Sequence, residues 1–331
     1  MIISKTPFRI SFVGGGTDLR KFYKNDYGQV LSSAIDKYVY VVVKRQIGIV
    51  EYKYRVNWSR VEFKNKIQDI EHPIVREVLK KFKIDFPIEI TTFADIPAGT
   101  GLGSSSSFAV GLINAVSALK GERMTKHELA EMGAKIEVDV LKRNMGKQDH
   151  YPAAFGGMNK ISFYKDESVK IEPVLLSKAA CDRLFDNLIM LFTNQKRDAS
   201  AILKNQDQKT KDNIEILTEM RDLVPDLEAS MQKKKSMELF GKLLDRNWEL
   251  KKLLTGSISN RAINRYYEIG KRNGAIGGKL LGAGGGGFLL FYAPKKKRFQ
   301  VVNSLSKLFH LPIKIDNEGS RISYYDNSLN N

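Results

Sequence analysis

One glycine- and serine-rich segment, Pro97–Ser107 (PAGTGLGSSSS), restricts the fold of this 331-residue chain more than any other. Strand-type residues, among them Ile88 and Ile90 at a period of two, precede it, and apolar residues at helical spacing follow it from Phe108 to Leu119. Glycine lets the backbone adopt positive φ and approach a ligand closely. The free N–H groups and the dipole at the start of a helix attract an anion. The segment therefore predicts an anion-binding loop between a strand and a helix.

The ligand that suits this loop is the phosphate chain of a nucleotide. The four serines add hydroxyl donors and offer a ligand for Mg²⁺. The loop is not a Walker A motif, because no G-x-x-x-x-G-K-[ST] occurs and no lysine follows the last glycine. A flexible turn is the alternative, although flexible linkers do not usually lead straight into a patterned helix. We expect nucleotide binding at these positions: Pro97, Gly99, Gly101, Leu102, Gly103, Ser104, Ser105, Ser106 and Ser107.

A second glycine-rich segment near the C-terminal end satisfies the dinucleotide pattern G-x-G-x-x-G at Gly282, Gly284 and Gly287. That pattern indicates a dinucleotide site only where a strand precedes it and a helix follows it. Here the sequence predicts the reverse order, a helix over 261–272 before the glycines and a strand, FLLFY, over 288–292 after them. A Rossmann fold is therefore disfavoured.

Three segments, in order along nearly the whole chain, resemble the motifs of the GHMP kinases, the family of galactokinase, homoserine kinase, mevalonate kinase and phosphomevalonate kinase. Pro97–Ser107 is similar to the family's phosphate-binding motif P-x-x-x-G-L-G-S-S-A/S, Pro7–Asp18 to its first motif and Gly278–Gly287 to its third. The resemblance implies an α+β fold with ATP between two halves. We expect a ribosomal-S5-domain-2-like half over 1–168 and a C-terminal α+β half over 169–331, divided at the polar stretch near 165–178.

The resemblance also implies the catalytic groups. Glu137 matches a helix glutamate that binds Mg²⁺, and Asp149, in GKQDH, matches the catalytic base about a dozen residues later. Ser105 resembles a second metal ligand, and Arg9 matches an arginine near the base and the acceptor. Taken alone, Glu137 could be an ordinary exposed helix charge and Arg9 a surface arginine. The expected cofactors are ATP and Mg²⁺.

The first motif departs from galactokinase, since Gly15 and Gly16 stand where that enzyme has an acidic residue and a histidine, while Thr17 and Asp18 remain. Together with GKQDHYPAAFGG, it resembles the heptose 7-phosphate kinases, which phosphorylate an anomeric hydroxyl on the route to GDP-heptose and surface polysaccharide. The resemblance implies that these four residues bind the sugar. The bare backbone of Gly284 and Gly285 is expected against the same substrate.

A phosphorylated sugar needs a cationic pocket for its own phosphate. Lys147 and Arg197 are the candidates, and each could equally be a solvated surface charge. An L-fucose kinase would need no such pocket. A GHMP-fold protein that binds metabolites without catalysis is a further alternative, against which the presence of both Glu137 and Asp149 argues.

The formal net charge of +17 raises the question of nucleic acid as a partner. The excess is mostly lysine dispersed along the chain, without aromatic residues interleaved in a basic stripe, so nucleic acid and membrane are not expected as partners. No secretory signal and no run of about 18 apolar residues is present, which favours the cytoplasm. The expected partners are ATP and a phosphosugar, and either a monomer or a homodimer is compatible with the sequence.

Overall fold

The computed structural model of the protein describes residues 1–47, 49–195, 199–232 and 237–326. In chain order, the strands are β1 (Ile2–Val13), β2 (Gly28–Arg45), β3 (Tyr54–Asn57), β4 (Val61–Lys64), β5 (Ile88–Ala94), β6 (Met158–Phe163), β7 (Val169–Pro173), β8 (Leu188–Phe192), β9 (Gly277–Leu280), β10 (Phe288–Tyr292), β11 (Phe309–Leu311) and β12 (Arg321–Tyr325). The α-helices are α1 (Arg20–Tyr23), α2 (Pro73–Lys81), α3 (Ser104–Leu119), α4 (Lys126–Ala134), α5 (His150–Phe155), α6 (Lys178–Asn187), α7 (Ala199–Gln208), α8 (Ile214–Gln232), α9 (Met237–Leu254), α10 (Arg261–Arg272) and α11 (Lys295–Ser304). The predicted α+β class is confirmed.

The first sheet has eight strands, six of them in the order β12-β1-β2-β5-β3-β4, with β6 pairing β2 and β7 pairing β6. The strand-type residues of 1–13 form β1, which pairs antiparallel with β2. Helix α3 packs on these two strands. Gly111 allows this approach, since a Cβ atom there would lie 2.8 Å from Oγ1 of Thr6. The start of α3 is thereby held beside β1.

Helix α4 begins where the sequence predicts. Thr125 and Glu128 form the capping box, in which each side chain bonds the backbone N–H of the other residue. The helix then continues as a single π-helical turn, Lys135–Val140. Such turns are rare within helices and commonly occur at functional sites.

The second sheet has the order β11-β8-β10-β9, and its pairings are antiparallel. The predicted strand FLLFY is β10, and all five of its side chains are buried. Helix α9 packs on β9 and β10. The sequence predicted mostly helices here and missed the three partner strands, because two of them have only three or four residues. A turn at 209–213 separates α7 from α8, and α8 continues through Pro225.

The strand pairing divides the chain differently from the predicted boundary between residues 168 and 169. That boundary falls between β6 and β7, which form an antiparallel hairpin in the first sheet. The first sheet therefore extends to Pro173, and β12 returns to pair with β1 after the second sheet is complete. A cut at one position therefore does not separate the two sheets. The polar stretch that suggested a linker between domains forms the turn between β6 and β7 instead.

The C-terminal glycine segment connects β9 and β10, two antiparallel neighbours. The helix predicted over 261–272 precedes the glycines as α10, and the short strand β9, which was not predicted, stands between them. No helix follows the segment within this hairpin, so its G-x-G-x-x-G spacing is not a dinucleotide fingerprint. Within the described ranges, no helix is both long and apolar enough to cross a bilayer.

Candidate active site

The three glycine-rich segments, far apart in sequence, meet at one place in the structure. The backbone N–H of Arg9 in β1 donates to the carbonyl of Leu102 at 3.1 Å, which joins the first segment to the second. Gly101 lies so close to the third segment that a Cβ atom there would be 2.6 Å from the carbonyl oxygen of Leu281. Its φ of +86° is one that residues with side chains rarely adopt. Both conformation and space therefore require glycine at this contact.

The second segment forms a wall of a cavity of about 650 Å³, which we call the phosphate cavity. Gly103, with a φ of +74°, is the N-cap of α3, so the first N–H groups of the helix are available at this wall. Ser106 lines the cavity, and its Oγ is buried and, among the described residues, has no hydrogen-bond partner. The other residues of the second and third segments that line the cavity are Ala98, Gly99, Gly101, Ser104, Ser105, Leu281, Gly282, Ala283, Gly284 and Gly286.

A buried ion pair lies on the wall that this cavity shares with a smaller one. Arg9 donates from Nε and Nη2 to the two carboxylate oxygens of Asp149, at 2.7 and 2.6 Å, and from Nη1 to the carbonyl of Gly101 at 2.8 Å. Arg9 and Asp149 line both cavities. A Cβ atom at Gly103 would lie 3.2 Å from the Arg9 side chain and 3.3 Å from the carboxylate. The bidentate contact fixes the orientation of a carboxylate that both cavities share.

Glu137, on the π-helical turn, is fully buried beside the second glycine-rich segment, Pro97–Ser107, which we call the phosphate loop. Ser105 donates to its Oε1 at 2.5 Å, and Nε2 of His150 lies 2.8 Å from its Oε2. Arg143 donates to the same Oε1 at 2.5 Å and to the Ser105 hydroxyl at 2.6 Å. Burial raises the pKa of Glu137, but the contact with His150, the hydrogen bond from Ser105 and the charge of Arg143 outweigh it and lower the pKa to about 2.

These groups fit a magnesium ion. A guanidinium nitrogen bridges the Ser105 hydroxyl and the Glu137 carboxylate, so this pair already attracts a cation. The described part of the chain contains no group of three or more His, Cys, Asp or Glu side chains arranged for a metal. Mg²⁺ commonly binds through one or two carboxylates together with substrate phosphates, and Glu137 offers one carboxylate beside Ser105. Arg143 must move from the bridging position before Ser105 and Glu137 can both contact an ion.

The smaller cavity, of about 100 Å³, lies on the other side of the Arg9–Asp149 pair, and we call it the acceptor cavity. Asp18 lines it and accepts hydrogen bonds from the backbone of Gly16 at 2.9 Å and from the Gln148 side chain at 2.9 Å. Burial and the nearby charge of Asp149 raise the pKa of Asp18 above its ordinary value. A polar wall of this kind can bond sugar hydroxyls.

Two parts of the chain match one family of enzymes. Residues 70–157 match the GHMP kinases N terminal domain, and residues 223–311 match the GHMP kinases C terminal domain. The chain belongs to the GHMP kinase family. It is therefore a phosphotransferase, and members of this family use ATP as the phosphate donor.

Relatives within the GHMP kinases cover nearly the whole chain. D-glycero-alpha-D-manno-heptose 7-phosphate kinase of Campylobacter jejuni is 29% identical over 92% of this chain and 93% of its own length. Galactokinase of Thermotoga maritima is 25% identical over 93% of this chain and 95% of its own. A solved D-glycero-D-manno-heptose 1-phosphate kinase from “Bacteriodes thetaiotaomicron” superposes with a TM-score of 0.81 at 22% identity, over 98% of this chain and 100% of its own. That likeness shows the two-domain GHMP kinase fold.

Most of the predicted nucleotide and substrate residues line one of the two cavities. Gly15, Gly16 and Asp18 line the acceptor cavity, and Gly284 lines the phosphate cavity. Six of the predicted nucleotide and substrate residues that the structure describes line neither cavity: Pro97, Leu102, Ser107, Thr17, Lys147 and Gly285. Leu102 is part of the core, whereas the hydroxyl groups of Ser107 and Thr17 bond backbone carbonyls. Leu102, Ser107 and Thr17 therefore stabilise the glycine-rich segments.

Of the two residues predicted for a cationic pocket, the structure describes only Lys147, and Lys147 is paired with an acidic residue. Nζ of Lys147 lies 2.5 Å from Oε2 of Glu167, in the β6–β7 turn, and Lys147 lines neither cavity. The charge of Lys147 is therefore neutralised by Glu167, which lies 20 positions later in the chain. Arg197 lies outside the described residues.

Two lysines that are not among the predicted site residues line the acceptor cavity, Lys251 in α9 and Lys279 in β9. Lys279 stands inside the third GHMP motif, so its position beside a glycine-rich loop was the one available signal. Lys251 is one of many lysines in a helical region. Arg143 was missed for the same reason, since a single arginine after a helix carries no pattern.

Proposed function

We propose that this GHMP kinase transfers the γ-phosphoryl group of ATP to the anomeric hydroxyl of D-glycero-D-manno-heptose 7-phosphate and forms the 1,7-bisphosphate. The observation that carries the proposal is the Arg9–Asp149 pair on the wall shared by the phosphate cavity and the acceptor cavity. A kinase has to place an acceptor hydroxyl beside a carboxylate and in line with a phosphoryl group. The choice of acceptor is supported by the name of the Campylobacter jejuni relative.

Asp149 has the central role in the proposed reaction. Its carboxylate orients the anomeric hydroxyl and accepts the proton as the new O–P bond forms and the bond between the γ-phosphorus and the β,γ-bridging oxygen breaks. ADP leaves, and Asp149 then passes the proton to solvent. Arg9 holds both carboxylate oxygens throughout, so the base does not need to be repositioned at each turnover.

The neighbouring groups complete the proposed site. Ser105 and Glu137 would hold Mg²⁺, which supplies positive charge that offsets the phosphate charges. Backbone N–H groups at the start of α3 bind the phosphate chain. Asp18, with Gly15 and Gly16, bonds the hydroxyl groups of the sugar. We place the reaction in the cytoplasm, on a route to GDP-heptose.

An unphosphorylated sugar is the competing acceptor. The L-fucokinase/L-fucose-1-P guanylyltransferase of Bacteroides fragilis is 26% identical over 88% of this chain, and this chain spans 34% of that longer protein. Such an acceptor would need the same base and the same phosphate loop. With an unphosphorylated sugar, however, the protein would not need cationic groups to bind a phosphate on the acceptor.

The test is an ATP-consumption assay with Mg²⁺ on the full chain. It compares heptose 7-phosphate, unphosphorylated heptose, mannose 6-phosphate, L-fucose and galactose, with the Asp149→Asn variant as the control for contaminating kinases. The expected result is that heptose 7-phosphate has a kcat/KM well above that of each other sugar, and that the variant lacks this turnover. Preference for an unphosphorylated sugar would contradict the acceptor while leaving the kinase activity intact. Turnover of none of these sugars would contradict the proposal as a whole.

A further inference from the structure

Three lysine side chains are buried in the described part of the chain: Lys147, Lys251 and Lys279. They differ in what neutralises them. Lys147 forms an ion pair with Glu167. Lys251 and Lys279 differ from it: among the described residues, neither amine forms an ion pair with a carboxylate within 4 Å. Burying a charge without a partner is costly, so these two amines require an explanation.

Lys251 extends from α9 into the acceptor cavity and donates to the backbone carbonyl of Gly282, in the third motif. Burial and the nearby charge of Arg9 lower the pKa of Lys251 to about 8, against the opposing attraction of Asp18 and Asp149. Part of the population is therefore uncharged near neutral pH. An anion that enters the cavity would favour the charged form.

Lys279 is buried more completely and donates to the backbone carbonyl of Phe12 at 2.7 Å. Burial, together with the charges of Lys251 and Arg9, lowers its pKa well below the ordinary value. Three basic groups thus face one another across a small cavity. Their mutual repulsion would be relieved by a multiply charged anion.

We propose that Lys251 and Lys279 form an anion-binding subsite of the acceptor cavity that holds the phosphate group already carried by the sugar. The subsite rests on the proposed function for the identity of that sugar. It takes the role that the sequence assigned to Lys147 and Arg197. A dianionic phosphate monoester supplies the negative charge and the acceptor oxygens that the two amines lack.

The position of the lysines separates this phosphate from the one that is transferred. Both line the acceptor cavity, and neither lines the phosphate cavity. Lys279 bonds to the carbonyl of Phe12, on the first motif, and not to the phosphate loop. A basic residue that binds the γ-phosphoryl group of ATP would be expected to line the phosphate cavity. Arg143 does so.

The experiment measures kcat and KM for heptose 7-phosphate and for unphosphorylated heptose, with Lys251→Met and Lys279→Met variants of the full chain. Each change should raise KM for the phosphorylated sugar roughly tenfold or more, the loss expected for one charge-assisted hydrogen bond. KM for the unphosphorylated sugar should stay within about threefold of its original value. Lys271→Met is the matched control, because Lys271 is a half-buried lysine that pairs with Asp245 away from both cavities.

Equal losses with the two sugars would overturn the proposal, because they would assign the lysines to the transferred phosphoryl or to folding. Unchanged kinetics in both variants would overturn it as well. Thermal unfolding supplies an independent readout: removing a buried amine that lacks an acidic partner should leave the midpoint unchanged or raise it. A large drop in both variants would instead assign the amines a structural role and contradict the subsite.

A binding measurement separates failure of the subsite from failure of the proposed function. Inorganic phosphate is titrated calorimetrically into the full chain saturated with ADP, in two buffers of different ionisation enthalpy. Binding with proton uptake above pH 8, abolished in the Lys251→Met, Lys279→Met double variant, would support the subsite even if no sugar tested is a substrate. Identical phosphate binding by the original protein and the double variant would overturn it.

Discussion

Replacing Asp149 with asparagine tests the centre of the site, because the change keeps the shape of the side chain and removes its charge. Loss of general-base assistance should lower kcat by about 10²–10⁴, equivalent to about 3–5 kcal/mol in the activation free energy. Nucleotide affinity should change little, because the phosphate loop does not include this carboxylate. A coupled assay of ADP release measures the first quantity and nucleotide titration the second.

The same change should also lower the free energy of unfolding. It replaces a carboxylate that accepts two hydrogen bonds, at 2.6 and 2.7 Å, from Arg9, whose side chain is 6% exposed. Breaking a buried ion pair from one side costs about 3–5 kcal/mol. The carboxylate is 16% exposed, so water can partly solvate the remaining guanidinium and we expect the lower end of that range. Urea unfolding monitored by circular dichroism measures the loss.

The Arg9→Met variant and the double variant complete a thermodynamic cycle. If the pair is coupled as the distances indicate, the double variant should lose less stability than the two single variants together, by about 0.5–3 kcal/mol. The kinetic cycle should differ, since Asp149→Asn alone removes the base and Arg9→Met only loosens it. A kcat for Asp149→Asn within a few-fold of the original would refute the role of Asp149, whatever the stability results.

Three further outcomes follow from other parts of the site. An alanine at a left-handed position loses about 1–2 kcal/mol of stability through backbone strain. Gly101→Ala should lose more than this and raise KM for ATP, because its Cβ would also clash with Leu281. Gly121→Ala is the control and should show the strain alone, since Gly121 has a φ of +74° and open space around it. Glu137→Gln should cost about 3 kcal/mol at pH 7, from a pKa of about 2 in the folded state against an ordinary value of 4.5. Because that stabilisation is lost as pH falls from 4.5 towards 2, the difference between the two proteins in urea unfolding should narrow by about 1 kcal/mol at pH 3.5, and a constant difference would contradict the assignment. KM for the phosphorylated acceptor should rise between pH 7 and 9, as Lys251 loses its proton around a pKa of about 8, and this rise should be absent in Lys251→Met.

The order of strand, glycine-rich loop and helix over 88–119 could be predicted because its information is local. Alternating glycines, a preceding strand and a capped apolar helix are all visible within some thirty residues, and the structure has them in that order. The resemblance of the flanking segments to GHMP motifs also carried over to the pairing of Arg9 with Asp149, although 140 positions separate them. In the second sheet β10 was predicted, whereas its three partner strands were missed, because most of them are too short to show a period.

The cationic pocket could not be predicted, because the charge state of a lysine depends on its distant neighbours. Lys147 adjoins the catalytic segment in sequence, yet the β6–β7 turn brings Glu167 to it. Lys251 has no distinguishing neighbour in sequence, yet α9 carries it into the acceptor cavity. Nothing in the sequence distinguishes a lysine that has an acidic partner from one that has none.

The distribution of charge between the cavities has a consequence for the order of binding. Lys251 and Lys279 line only the acceptor cavity, whereas the loop amides and Arg143 line only the phosphate cavity, and the Arg9–Asp149 pair lines both. The phosphate of the sugar would thus be neutralised by the two lysines, and the phosphates of ATP by the loop amides and Arg143. Neither substrate would therefore need the other in order to bind. The dissociation constant of heptose 7-phosphate should therefore differ by less than about threefold with and without a non-hydrolysable ATP analogue, a coupling below about 1 kcal/mol. Acceptor binding that requires the nucleotide would mean instead that closure of the phosphate loop completes the acceptor cavity.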